Sequence, residues 1–178
     1  MFTAQDLQAI INTEIDENID DEDMIIYVNT CLLDLCELFR NTGTQEIIVT
    51  DTEEFIERTD GHLSVVGITC NGKKYTGKWE LNYDRTKIRF GEPGTFTVTS
   101  IVIPDMITSV TDPIGVHDVF KIGIARYIAA LFDLMDNDQD PEGLRMKTEA
   151  EGLIRRASNM LLNSDKRSGQ SIPFAERR

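Results

Sequence analysis

Apolar residues recur at helical spacing at both ends of the chain and at strand spacing between them. Near the start, Leu7, Ile10, Ile11 and Ile15 fall on one helical face, with Thr3 placed as N-cap and Asp6 placed to return the bond. A second helix follows an acidic run. Asp20 or Asp21 caps it, Glu22 and Asp23 favour its positive end, and Met24, Val28, Cys31, Leu32, Leu35 and Phe39 form its stripe. Arg40 sits in its last turn and Asn41-Thr42-Gly43 stops it.

The period changes at residue 45. Gln45–Thr50, Glu54–Arg58, Leu63–Cys70, Lys74–Leu81, Lys87–Phe90 and Thr95–Ile103 are short, rich in β-branched and aromatic residues, and separated by turn residues. Asn71-Gly72 is the strongest hairpin signal, because both turn positions need a positive φ. Trp79 and Leu81 alternate with polar neighbours and are expected to face inward. After Pro104 the helical period returns. Asp112-Pro113 predicts a helix start, His117 falls in its first turns, and Val116, Phe120, Ile124, Tyr127, Ile128, Leu131 and Leu134 make its stripe. Asp136–Asp140 breaks it. Asp140-Pro141 starts a last helix carrying Leu144, the Lys147 stem, Ala150, Leu153, Ile154, Ala157 and Leu161, and the two helices are expected to form an antiparallel hairpin.

Elements that segregate instead of alternating define an α+β fold. The expected organisation is one folded domain. N-terminal helices (1–44) and a C-terminal helical hairpin (111–163) pack together, an antiparallel sheet or small sandwich (45–110) is inserted between them, and an extended tail follows (164–178).

Composition narrows the function. The chain has 178 residues, 40% of them apolar and 28% charged, as in an ordinary globular protein. Its net charge of −13 repels nucleic acid and anionic lipid. No stretch reaches the ~20 apolar residues of a membrane helix, and MFTAQDLQAII lacks the basic region of a secretory signal, so an intracellular product with no membrane partner is expected. Cys31, Cys36 and Cys70 form no CxxC pair and read as buried, reduced side chains.

Signatures of chemistry are missing. His62 follows a turn, and neither it nor His117 has a nearby Ser or Cys in an activating pattern; GxSxG, HExxH, Walker A and helix-opening GxGxxG motifs do not occur. Asp16-x-Asn18-x-Asp20 copies the start of a calcium loop, but Asp21 stands where the loop needs glycine and Tyr27 where it needs glutamate. Asp136-x-Asp138-x-Asp140 fails likewise at Pro141 and Lys147. The expectation is a protein that is not an enzyme and holds no metal or cofactor.

Charge is unevenly spread. Residues 1–40 carry ten acidic side chains against Arg40, whereas residues 155–178 carry six basic ones (Arg155, Arg156, Lys166, Arg167, Arg177, Arg178) against Asp165 and Glu176. Opposed ends suit head-to-tail complementarity between copies, or a basic tail on an acidic partner. Within the tail, Ser171-Ile172-Pro173-Phe174 presents two apolar side chains in the extended setting before a proline, a form that orders on a partner.

The stretches TAQDLQAIINTEI, MIIYVNTCLLDLCELF and IVIPDMITSVTDPIGVHDVFKIGIARYIAALFDLMDNDQDPEGLRMKTEAEGLIRRA resemble the head-to-tail adaptor (connector) proteins of tailed bacteriophages. The likeness covers most of residues 1–163 as architecture. Val116, His117, Phe120 and Tyr127 look like that family's aromatic-rich helix. The resemblance implies a structural virion protein, made in the host cytoplasm and placed in the neck at the portal vertex. It implies a ring, usually of twelve copies, that docks on the portal protein, extends the DNA channel and carries downstream tail or neck proteins. DNA passes such a lumen without specific binding, and an acidic wall suits that passage. Glu14, Asp16, Glu17, Asp20, Asp21, Glu22 and Asp23 are the candidate lining; Lys166, Arg167, Ile172, Pro173, Phe174, Arg177 and Arg178 are the candidate portal-docking tail. An acidic protein that mimics DNA is the alternative from another class, although seven Lys and Arg residues interrupt the strand region. Another tail-completion or baseplate protein is the alternative within the virion.

Overall fold

The computed structural model describes residues 1–15, 18–136 and 139–168, the side chains of 136 and 164–168 excepted. The chain divides into two compact units. Among the described residues, the helical unit combines Met1–Phe39 with 104–168, and the strand unit is Arg40–Ile103, so in sequence the strands interrupt the helices. Helices and antiparallel sheets are both present, and the protein is α+β.

In the helical unit, α1 (Ala4–Ile11) opens with the expected capping box: Thr3 Oγ1 accepts from Asp6 N at 3.2 Å, and an Asp6 carboxylate oxygen accepts from Thr3 N at 2.9 Å. These backbone and side-chain bonds from Thr3 hold the Asp6 carboxyl below its ordinary range. Thr3→Ala is expected to cost about 1 kcal/mol, seen as a lower denaturant midpoint. The helix ends at Ile11, so Ile15 joins the core from the following turn instead of the helix face. Asp20 caps α2 (Asp21–Asp34) by accepting from Asp23 N at 2.9 Å. The single helix expected as far as Phe39 breaks at Leu35 (φ −114°, ψ 13°), and α3 (Cys36–Phe39) follows. The break keeps the whole stripe from Met24 to Phe39 buried.

Asp112-Pro113 does not start the next helix. The Asp112 carboxylate instead accepts from the backbone N–H groups of Thr108 and Ser109, both at 2.8 Å, and closes its own turn. Pro113 forms a β-bridge with Thr3, and Ile114 N donates to Phe2 O at 2.8 Å, which lays this segment along the N-terminus. Asn29 grips the same crossing: its side chain donates to Ile107 O and accepts from Ile107 N, both at 2.9 Å. His117 likewise lies outside the helix it was expected to join. It caps a 3-10 turn, Asp118–Phe120, its Nδ1 accepting from Val119 N at 3.1 Å. The helix itself, α4, is Lys121–Asp136.

Asp140 then caps α5 (Pro141–Ser168), accepting from Gly143 N at 2.7 Å. Gly123 faces Ile154 and Leu134 faces Gly143, so α4 and α5 run antiparallel. α5 continues to Ser168, past residue 164 where the tail was expected to start, and the rest of that expected tail lies outside the described residues. The unit's core is led by Tyr127, Phe39, Phe120, Leu7, Ile11, Met24 and Leu32, with Phe39 and Phe120 edge to face at 5.1 Å.

The strand unit holds β1 (Thr42–Val49), β2 (Ile56–Glu57), β3 (His62–Cys70), β4 (Lys73–Lys74), β5 (Trp79–Leu81), β6 (Lys87–Phe90) and β7 (Gly94–Val102). They form two antiparallel sheets, in the orders β1-β7-β3-β4 and β2-β6-β5. Asn71 and Gly72, at φ 49° and 73°, make the predicted β3–β4 hairpin turn. The strand expected over Lys74–Leu81 splits, with β4 in the first sheet and β5 in the second. Gly77 sits at that corner because a side chain there would overlap the Tyr75 ring. Gly43, expected to stop the second helix, lies inside β1; Arg40 takes the left-handed conformation at φ 57° instead. Ile47, Val49, Ile68, Ile88, Phe90, Phe96 and Val98 fill the core, with Phe90 and Phe96 stacked at 4.0 Å. Register puts Trp79 opposite Phe90, on the expected face, but β5 is an edge strand and Trp79 stays 41% exposed.

Candidate functional site

The acidic run is built into helix ends. Glu14 is an exposed residue in the turn after α1 and pairs with Arg126 of α4 at 3.2 Å. Asp20 is occupied as the α2 cap, and Asp21, Glu22 and Asp23 fill the first turn, where the helix dipole favours them. Asp16 and Glu17 lie outside the described residues. Of the tail candidates, Lys166 and Arg167 fall on the last turns of α5, while Ile172, Pro173, Phe174, Arg177 and Arg178 lie outside the described residues.

A cleft of about 600 Å³ opens in the helical unit, lined by Asp34 and Leu35, Glu37 and Leu38 of α3, Tyr127 of α4, and Lys147, Glu151 and Arg155 of α5. On α5 the three charged residues sit at i, i+4 and i+8 and so share a face. The Tyr127 hydroxyl donates to Asp34 at 2.9 Å, and the Lys147 ammonium lies 5.3 Å from the centre of the Tyr127 ring. Burial pushes the Tyr127 phenol far above its ordinary range, and the Asp34 carboxylate pushes it further. Burial also raises the thiols of Cys31 and Cys36. The cleft presents two bases and three acids around the Tyr127 ring. Cys36 and Cys70 are only half-buried, contrary to expectation.

Apolar side chains also line solvent-facing surfaces. Ile26 (59% exposed) and Leu33 (50%) lie seven residues apart on α2, one face of the helix. Ile122 stands out from α4, and Ile48 and Val66 lie on the outward side of the four-stranded sheet. Tyr83, at the β5–β6 turn, is fully exposed. The α2 pair was visible in sequence as apolar positions off the buried stripe. The cleft had no comparable signal, because its acids and bases come from two stretches, 34–37 and 147–155, that are far apart in the chain.

Among the described residues, no three His, Cys, Asp or Glu side chains converge as a metal site, and no helix is long and apolar enough to cross a membrane. No protein-family model matches the chain, and no curated protein matches it in sequence.

Proposed function

We propose that the chain is a structural assembly protein, a head-to-tail adaptor of a tailed phage that forms a ring on the portal and connects capsid to tail. The observation that carries this reading is the set of apolar side chains held solvent-facing on ordered elements of both units: Ile26 and Leu33, Ile122, Ile48 and Val66. Apolar side chains that face solvent on helices and strands suit contact with other protein chains where neighbouring copies join them into a patch. The opposed charge of the two chain ends and the adaptor-like order of elements support it. In this reading residues 14–23 line the channel, and the basic, Ile172- and Phe174-bearing segment docks on the portal.

The test is electron microscopy of the purified chain mixed with portal rings. The full chain is expected to add a stacked ring, with residues 14–23 at the lumen. A chain ending at Ser168, which keeps all of α5, is expected to keep its circular dichroism and lose attachment. A chain that never stacks on the portal overturns the adaptor reading. Normal attachment of the shortened chain overturns the docking segment, and residues 14–23 on the outer rim overturn the lining.

A further inference from the structure

The strand unit contains a buried cation whose bonded partners are all neutral. Arg58, just after β2, is only 7% exposed. Its guanidinium donates to Arg85 O at 2.6 Å, Leu63 O at 2.7 Å and Ser100 Oγ at 3.0 Å, and its Nε is buried without a partner. His62 opens β3 beside it. The ring's Nδ1 is buried and also has no partner, while Gly43 of β1 closes over the other side: a Cβ on Gly43 would stand 3.1 Å from His62 Nε2. Register places His62 opposite Val102 and Gly43 opposite Ser100, so the imidazole sits at the end of the sheet where the chain enters at Arg40 and leaves at Ile103.

We propose that His62 is a pH-sensitive latch, neutral when the incoming and outgoing strands are seated and releasing that end of the sheet when it takes a proton. A neutral imidazole can leave the enclosed Nδ1 as a bare lone pair, which costs little. The protonated ring must put a hydrogen there with no acceptor, and must place a second positive charge beside Arg58. No acidic side chain offers relief. From β7 Val102 stands opposite His62, and from β1 Gly43 closes on the ring, neither of them ionisable. Glu57 of β2 is taken by Lys87 at 2.7 Å, and Asp60, in the preceding turn, is exposed.

Burial first, and the Arg58 charge second, hold the His62 pKa below its ordinary 6.5. The folded state therefore binds fewer protons than the unfolded one, so stability rises with pH and is lost as pH falls through 6.5. The bonds at stake fasten both strands: Val102 N to Asn41 O at 2.8 Å, Ile103 N to Gly61 O at 3.1 Å and His62 N to Thr59 O at 3.2 Å.

Amide hydrogen exchange on the full chain tests this, with rates corrected for the intrinsic effect of pH. Between about pH 7 and pH 5, protection of the Val102 and Ile103 amides is expected to fall severalfold in the native chain and to stay level in His62→Gln. Equal losses in both chains overturn the proposal. Should His62→Gln fail to fold, the ring signals of the native chain decide. A His62 titration midpoint below 6.5 supports the latch, and one at or above it removes the latch.

Discussion

Arg58→Ala is expected to destabilise the strand unit by about 3 kcal/mol or more, read as a fall in the denaturant midpoint of the full chain. The guanidinium bridges three separate segments: the β5–β6 turn at Arg85, the start of β3 at Leu63, and β7 at Ser100. A hydrogen bond to a charged group is worth about 1.5–3 kcal/mol, so three outweigh any ordinary surface substitution. Against this stands the cost of burying the charge, reflected in the lowering of the Arg58 pKa by burial.

The two effects are separated by the choice of replacement. Methionine keeps most of the volume and discards the charge, so Arg58→Met is expected to be the mildest variant. Lysine keeps the charge but has no planar fork to reach three acceptors, so Arg58→Lys is expected to cost as much as alanine. Lysine behaving like the native residue would show that charge alone, not the geometry of its bonds, sets the stability of this node.

What was legible in the sequence was local. The Thr3–Asp6 box, the Asp20 and Asp140 caps and the Asn71-Gly72 turn are written within four residues of where they act, and each formed as expected. Asp112-Pro113 carries the same local signal, but the segment is claimed by long-range partners, Thr3 and Phe2, that no window around it contains. The continuation of α5 to Ser168 was hidden for a different reason. From Asn163 to Ser168 the sequence holds no apolar residue, so there was no period to read. Trp79 shows the limit of alternation, which predicts the face of a strand but not whether another layer reaches that edge. The Arg58 node left no trace at all. An arginine ahead of an Asp-Gly turn reads as solvent-exposed, and only the meeting of two sheets makes it interior.

The second large effect belongs to the helical unit, where Gly123 lets α4 approach α5. A Cβ there would stand 2.6 Å from Ile154 Cγ1 and 3.4 Å from Ile154 N. Because Cγ1 is attached to the branched, stiff end of the side chain, it cannot swing aside as a long side chain would. For Gly123→Ala, helix propensity returns about 1 kcal/mol while overpacking costs about 1–3 kcal/mol, so a small net loss is expected. Gly123→Leu has no such offset beyond propensity and is expected to cost about 3 kcal/mol, by forcing the helices apart around the fully buried Ile124 and Ile154. Ile154→Ala alone leaves a cavity costing about 2–5 kcal/mol. Combined, the leucine occupies the space the isoleucine vacates, and the double variant is expected to be more stable than the sum of the two losses by about 2 kcal/mol. Denaturation midpoints of the four chains measure that coupling. If the two losses simply add, the close approach of α4 and α5 at Gly123 is not what limits their packing, and the helical hairpin must be held by contacts elsewhere along the pair.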